Sequence, residues 1–240
     1  MTQYTISIII PVLNEARIIS ATLARLNSVP EAEVIVVDGG SQDNTVAIAT
    51  QTATVITVAG RGRAGQMNAG AKIARSDILL FLHADTQLPD NFIALVTQTL
   101  KHPQTIAGAF ELKIDGVANS LRWIEQLVRM RSRLLSLPYG DQAIFISKQA
   151  FIEVGGFADL PIMEDFEFIK RLQKQGKIAI ATGAVTTSGR RWEKLGVWQT
   201  TLINQLIIAG YYLGVSPTEL SKFYRRWGKK KSHSSSFSSD

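Results

Sequence analysis

Apolar positions along this chain fall into two rhythms, short unbroken runs and longer stretches with helical spacing, and the two alternate through its first hundred or so residues. A short apolar run bounded by turn formers reads as a strand buried on both faces, as in parallel sheets covered by helices. Such runs occur at 6–10, closed by Pro11, and at 33–37, 54–58 and 78–82. Helical patterns lie between them. One covers 15–26 with Asn14 as its cap, a second opens at Asp43 or Asn44, and a third follows the glycine-rich Gly60-Arg61-Gly62-Arg63-Ala64-Gly65 through Ala74. Repeated strand, helix, strand predicts an α/β fold with a doubly wound, mostly parallel sheet and right-handed crossovers.

From Gln104 the rhythm changes. A strand is expected at 107–114, a long helix at 118–137 and another strand at 142–146. Gly155-Gly156-Phe157 then breaks the chain before a helix that starts near Glu164 and ends at Gly176. The sheet is therefore mixed, and neither a repeat nor a linker divides it.

Composition narrows the field. With 240 residues, 45% of them hydrophobic, the chain can bury one substantial core. The absence of cysteine removes disulfides, thiolate ligands and cysteine nucleophiles, and fits a reducing compartment. Met1-Thr2-Gln3-Tyr4 lacks the basic region and apolar stretch of a secretory signal, so a cytoplasmic location is expected. The net charge of +6 is mostly a property of the tail: residues 225–240 hold five of the 26 basic side chains and one of the 20 acidic ones. Without them the balance is 21 against 19, and no nucleic-acid partner is expected. The basic cluster 225–231 can still touch anionic lipid from the inner face of the membrane, with a solvated terminus as the competing reading. Segment 197–215 contains too many polar side chains for a membrane span and reads as a packed or interfacial helix. Segment 118–137 is amphipathic and basic, able to lie in a membrane interface or to pack on the core.

Two of the buried runs end in a carboxylate, Asp38 and Asp85. The carboxyl ends of parallel strands line one crevice, so both acids are expected to face a ligand there. No G-x-G-x-x-G or P-loop follows the first strand, which removes the main support for hydride transfer or ATP hydrolysis. Acids reach a phosphate through a cation, so a divalent metal and a diphosphate suit this edge.

At this point the residues resemble the family-2 glycosyltransferases of the GT-A fold. Ile10-Pro11-Val12-Leu13-Asn14-Glu15 is similar to that family's I-P-x-x-N-E, and Val37-Asp38-Gly39-Gly40-Ser41-Gln42-Asp43-Asn44-Thr45 to its V-D-x-x-S-x-D-x-T. Phe81-Leu82-His83-Ala84-Asp85 stands where the family keeps D-x-D, and Gly155-Gly156-Phe157 with Glu164-Asp165 matches its G-G-F and E-D elements. The resemblance covers about residues 4–195. With His-Ala-Asp in place of Asp-x-Asp, it points to a small bacterial single-domain subgroup.

What the resemblance implies is specific. A single glycosyltransferase domain spans 1–227, with a Rossmann-like nucleotide-sugar half at 1–103 and an acceptor half at 104–227, followed by a disordered basic, serine-rich tail at 228–240. Pro11, Glu15 and Asp38 line the nucleoside pocket, with interaction with the helix dipole as the competing reading for Glu15 and an Asx-type turn or helix cap before Gly39-Gly40 for Asp38, and Asp85 holds manganese or magnesium on the donor diphosphate. His83 replaces an aspartate and can donate to ribose or bind the metal. Asp165, beside Glu164, is the base that takes the acceptor proton in an inverting transfer.

Further candidates come from the residues themselves. Arg61 and Arg63, on a glycine-flanked loop, can hold a diphosphate. Gln66 and Asn68 can contact the nucleotide or cap their helix. Asp141 offers an acceptor-side group or a turn, Arg191 can touch diphosphate, and Trp192 can stack on a sugar or pack in the core. Ser188 stands where a processive synthase of this family has the glutamine of Q-x-x-R-W. The expected activity is transfer of one sugar from a nucleoside diphosphate sugar to a hydroxyl acceptor, lipid-linked in one version. The alternatives are a nucleotidyltransferase that releases pyrophosphate and a non-catalytic nucleotide-sugar-binding module at the membrane surface.

Overall fold

The computed structural model describes residues 5–230. Its centre is one eight-stranded sheet. In chain order the strands are β1 (Ile6–Val12), β2 (Ala32–Asp38), β3 (Thr54–Thr57), β4 (Ile78–Phe81), β5 (Thr86–Gln87), β6 (Thr105–Asp115), β7 (Phe145–Ser147) and β8 (Lys177–Ser188). The spatial order is β3-β2-β1-β4-β7-β6-β8-β5. The first four pair in parallel, β7 runs antiparallel to β4 and β6, β8 lies parallel to β6, and β5 closes the far edge antiparallel to β8.

The helices are α1 (Ile19–Leu26), α2 (Thr45–Ala49), α3 (Gly62–Ile73), α4 (Phe92–Leu100), α5 (Asn119–Leu135), α6 (Lys148–Glu153), α7 (Glu164–Leu172), α8 (Arg190–Leu195), α9 (Val197–Tyr212) and α10 (Pro217–Lys230). Because side chains alternate across a strand, β1 sends Ile6, Ile8 and Ile10 to one core, shared with α1, α2, α4 and α5. Ile9 goes to the other core, with α3, α6 and α7. That double burial is why the runs are apolar throughout. Gly70 lets α3 approach the sheet: a Cβ there would stand 2.5 Å from Ile9 Cγ2 and 3.0 Å from Val37 Cγ2.

Three local expectations are corrected. Pro11 does not end its strand, since β1 continues to Val12. The Ile9 carbonyl accepts from Leu82 N–H, so Ile9 and Pro11 turn their backbone groups toward β4, whose pairing with β1 stops at Phe81; the missing proline donor breaks no ladder bond. Asn14 does not cap a helix at 15–26. It sits at φ 57°, its Oδ1 accepts from Gln42 N–H and its N–H donates to Ser41 Oγ, and the regular helix starts only at Ile19. The strand expected at 142–146 begins at Phe145, because Gly140–Gln142 form a 3-10 turn.

The 12-residue β8, which no apolar run announced, pairs with β6 over most of its length. The chain expected to be a disordered tail is helical to Lys230, and residues 231–240 lie outside the described residues.

Candidate active site

The carboxyl ends of β1 and β4, the start of α3, the 140–142 turn and the start of α7 meet in one crevice. Pro11, Arg63, Met67, His83, Gly140, Phe157, Glu164 and Asp165 line it. Asp165 is fixed by two backbone donors, Gly140 N–H to Oδ2 at 2.7 Å and its neighbour Phe166 N–H to Oδ1 at 2.7 Å. Gly140 packs closely here, and a Cβ would lie 3.0 Å from Asp165 Oδ2 and 3.3 Å from His83 Nε2. The helix that presents the Glu164-Asp165 pair is preceded by Met163 at φ 69°, a left-handed conformation that strains a side chain with a Cβ and accumulates at functional sites.

Arg63 is not on a loop as expected but in the first turn of α3, where its guanidinium lies 3.5 Å from the buried Glu164. Burial pushes the Glu164 carboxyl up, and Asp165 adds to this against the pull of Arg63. The same surroundings act oppositely on His83. Burial and then the Arg63 cation push its imidazole down to about 3, so it is neutral at any physiological pH. Asp141 is pushed up to about 6, first by burial and then, against Arg131, by Asp165 and Asp85. Its Oδ1 is buried without a hydrogen-bond partner.

Beside the crevice, at the strand ends, Asp85 meets Arg190 at 3.4 Å. The pairing of β5 with β8 explains this meeting: Ser188 N–H donates to the Asp85 carbonyl, and Arg190 follows at the head of α8. Arg190 is the residue the sequence reading missed. Glu15 is close enough that burial, then Asp85, push its carboxyl up.

Five of the candidate side chains are held by the protein itself or stand away from the crevice. Asp38 is 1% exposed, and both its oxygens accept from the N–H groups of Gly40 and Ser41, so its carboxylate meets the turn. Gln66 is buried with Nε2 donating to the carbonyls of Val12 and Val37. Asn68 exchanges two hydrogen bonds with the backbone of Phe157. Both amides fasten the fold. Arg61 precedes α3 on the exposed surface and does not line the crevice. Trp192 is partly buried and packs against the core, the second of the two readings given for it. The side chain of Arg191 lies outside the described residues.

The residues at the edge fit a divalent ion. Magnesium and manganese take one or two carboxylates and complete their shell with phosphate oxygens and water. Asp85, partly exposed, and the unpartnered Asp141 oxygen are donors of that hard kind. Among the described residues no cluster of three His, Asp or Glu is gathered.

A parallel half joined through an antiparallel strand to a second half, with acids at the strand ends, is the mixed α/β arrangement of the GT-A fold. Residues 7–160 match the profile of glycosyl transferase family 2, and the chain belongs to that family. Similar solved structures include the mannosyltransferase PcManGT from Pyrobaculum calidifontis in complex with GDP-Man and Mn2+, at 20% identity over 77% of this chain and 56% of that one, with a TM-score of 0.63. TarS 1–349 of S. aureus is similar at 16% identity, 85% and 64% coverage and a TM-score of 0.62. Its complex with UDP-GlcNAc gives 18%, 77%, 58% and 0.61. This chain thus spans between 56% and 64% of the length of those proteins. A search of curated protein sequences finds no significant match.

Proposed function

We propose that this protein transfers one sugar, with inversion, from a nucleoside diphosphate sugar to a hydroxyl acceptor. The observation that carries the reading is Asp165, oriented by two N–H donors in the same crevice as Arg63 and His83. In the reaction the acceptor oxygen attacks the anomeric carbon, Asp165 takes the hydroxyl proton, and the bond to the diphosphate breaks on the opposite face. Arg63 and the N-terminus of α3 meet the negative charge of the departing diphosphate. The neutral His83 donates to or accepts from the donor without adding charge. The unpartnered Asp141 oxygen is available to an acceptor hydroxyl. Asp85 is the candidate holder of magnesium or manganese, which when bound would supply charge neutralisation at the diphosphate.

The experiment is release of nucleoside diphosphate from a donor panel that includes GDP-mannose and UDP-N-acetylglucosamine, with manganese present. Asp165→Asn is expected to lower turnover by about 10²–10⁴-fold while donor binding survives, and Asp85→Ala to abolish turnover. Wild-type rates in Asp165→Asn would overturn the assignment of the base. Pyrophosphate release from a nucleoside triphosphate instead would overturn the reaction class.

A further inference from the structure

We propose that α5, α9 and α10 form a membrane-docking surface that lies in the interface of an anionic bilayer. The main observation is α9. Its 16 residues contain no charged side chain, yet one face is open to water, with Trp198 at 68% exposure and Leu202, Leu206 and Leu213 exposed along the same helical stripe and just beyond its end. The opposite face, Ile203 and Ile207, is buried. A surface helix in water ordinarily carries charge on its open side. Here the charge-free stretch continues to Thr218.

Helix α5, which touches α9, repeats the pattern. Trp123, Leu127, Met130 and Leu134 recur at i, i+4, i+7 and i+11 and are all exposed, while Leu121 and Ile124 face the core. Helix α10, which packs on α9, exposes Phe223 and Trp227 one turn apart, with Arg225 and Arg226 between them also exposed. Three of the four tryptophans of the chain are therefore open to solvent on three connected helices, and only Trp192 packs against the core.

Charge and chemistry select the occupant. Exposed indoles beside leucines, next to basic side chains, match the boundary between lipid headgroups and acyl chains. Residues 225–231 form a basic cluster that anionic headgroups attract, whereas a two-fold pairing through this face would bring one basic α10 toward the other. No described helix is long and apolar enough to cross a membrane, so the helices lie in the plane of the interface. The rings of Tyr211 and Tyr212 on α9 stack edge-on against Phe166, 5.5 and 5.7 Å away, so the docking surface begins one residue from Asp165. The lipid contact itself does not depend on the glycosyl-transfer reading.

The test uses the full chain with sedimenting vesicles of phosphatidylcholine, with and without phosphatidylglycerol. Binding is expected to the anionic vesicles, with a blue-shifted tryptophan emission that brominated lipid quenches. Trp198→Ser with Leu202→Ser is expected to weaken partitioning by at least about tenfold, and Trp123→Ser with Leu127→Ser on α5 serves as an independent arm should the first pair fail to fold by circular dichroism. Arg225→Glu with Arg226→Glu is expected to weaken binding to anionic vesicles only. Failure to bind any vesicle would overturn the proposal, as would wild-type partitioning of both apolar double variants. A concentration-dependent dimer by light scattering, abolished by the same apolar variants without any vesicle binding, would assign the face to a second copy and equally overturn it.

Discussion

Burial holds the Asp141 carboxyl near 6, against 3.8 for a free side chain, and the sign of its effect on stability follows. Below about pH 4 the group is protonated whether the chain is folded or not, and burial adds no charge penalty. As pH rises from 4 to 6 the unfolded chain ionises first, so the folded state loses stability, and above 6 the loss is complete. Asp141→Asn is therefore expected to melt with the wild type at pH 4 and to be more stable by about 1–3 kcal/mol at pH 7, as thermal scans across that range will read. A flat difference with pH would contradict the assigned environment. At this scale the sequence was legible where chemistry stays local. The motifs that carry His83, Asp85, Glu164 and Asp165 occupy strand ends and a helix start, and the fold gathers His83, Glu164 and Asp165 in the crevice with Asp85 beside it. Arg190 was not, because it reaches Asp85 only through the pairing of residues 101 positions apart, Thr86 and Thr187. Gln66 and Asn68 were misread for the opposite reason: nothing in a helical polar side chain announces that a backbone carbonyl waits beneath it.

Among the elements, the 140–142 turn depends on one buried amide. Gln142 Oε1 accepts from Arg131, Ser132 and Tyr139 N–H, and its Nε2 donates to the Phe110 carbonyl at 2.8 Å. Removing it leaves several buried partners unsatisfied, so Gln142→Ala is expected to lose about 2–4 kcal/mol in urea unfolding and, by releasing Gly140, to lower turnover as well. A loss below about 0.5 kcal/mol would show that water replaces the amide freely. The apolar run that includes Gln142 reads as a strand from Gln142 onward, but the amide hub bends the chain before β7 can form. Elsewhere the strong periods served well: β2 lies within a residue of its expected bounds and β4 ends one residue early, whereas α3 starts at Gly62, inside the glycine-rich stretch expected to precede it. Helix α1 starts four residues late because the loop after β1 is bound to residues 41–45 by side chains, a long-range tie that overrides local capping.

For the molecule as a whole, the alternation of buried runs and helices was enough to read a doubly wound sheet, while the order of β6, β7 and β8 depended on antiparallel pairing that no local pattern encodes. A ligand that binds only the folded sheet stabilises it by about 2.7 kcal/mol at a hundredfold excess over its Kd. For a chain of this size, that raises Tm by roughly 5–10 °C. The accepted nucleoside diphosphate is expected to give this shift with manganese and to lose most of it in chelator, measured by differential scanning fluorimetry; equal shifts in both would exclude a metal between Asp85 and the diphosphate. One helix also ties the two sides of the crevice together. Within a single turn of α3, Gln66 is tied to the ends of β1 and β2 and Asn68 to Phe157 beyond the central strands. The two sides of the crevice are thereby bolted to a common shaft and cannot swing apart there. The rim at Arg190 is closed by side chains alone, with the guanidinium 3.4 Å from Asp85 Oδ2 and 3.0 Å from Ser188 Oγ, so it is the softer side of the site.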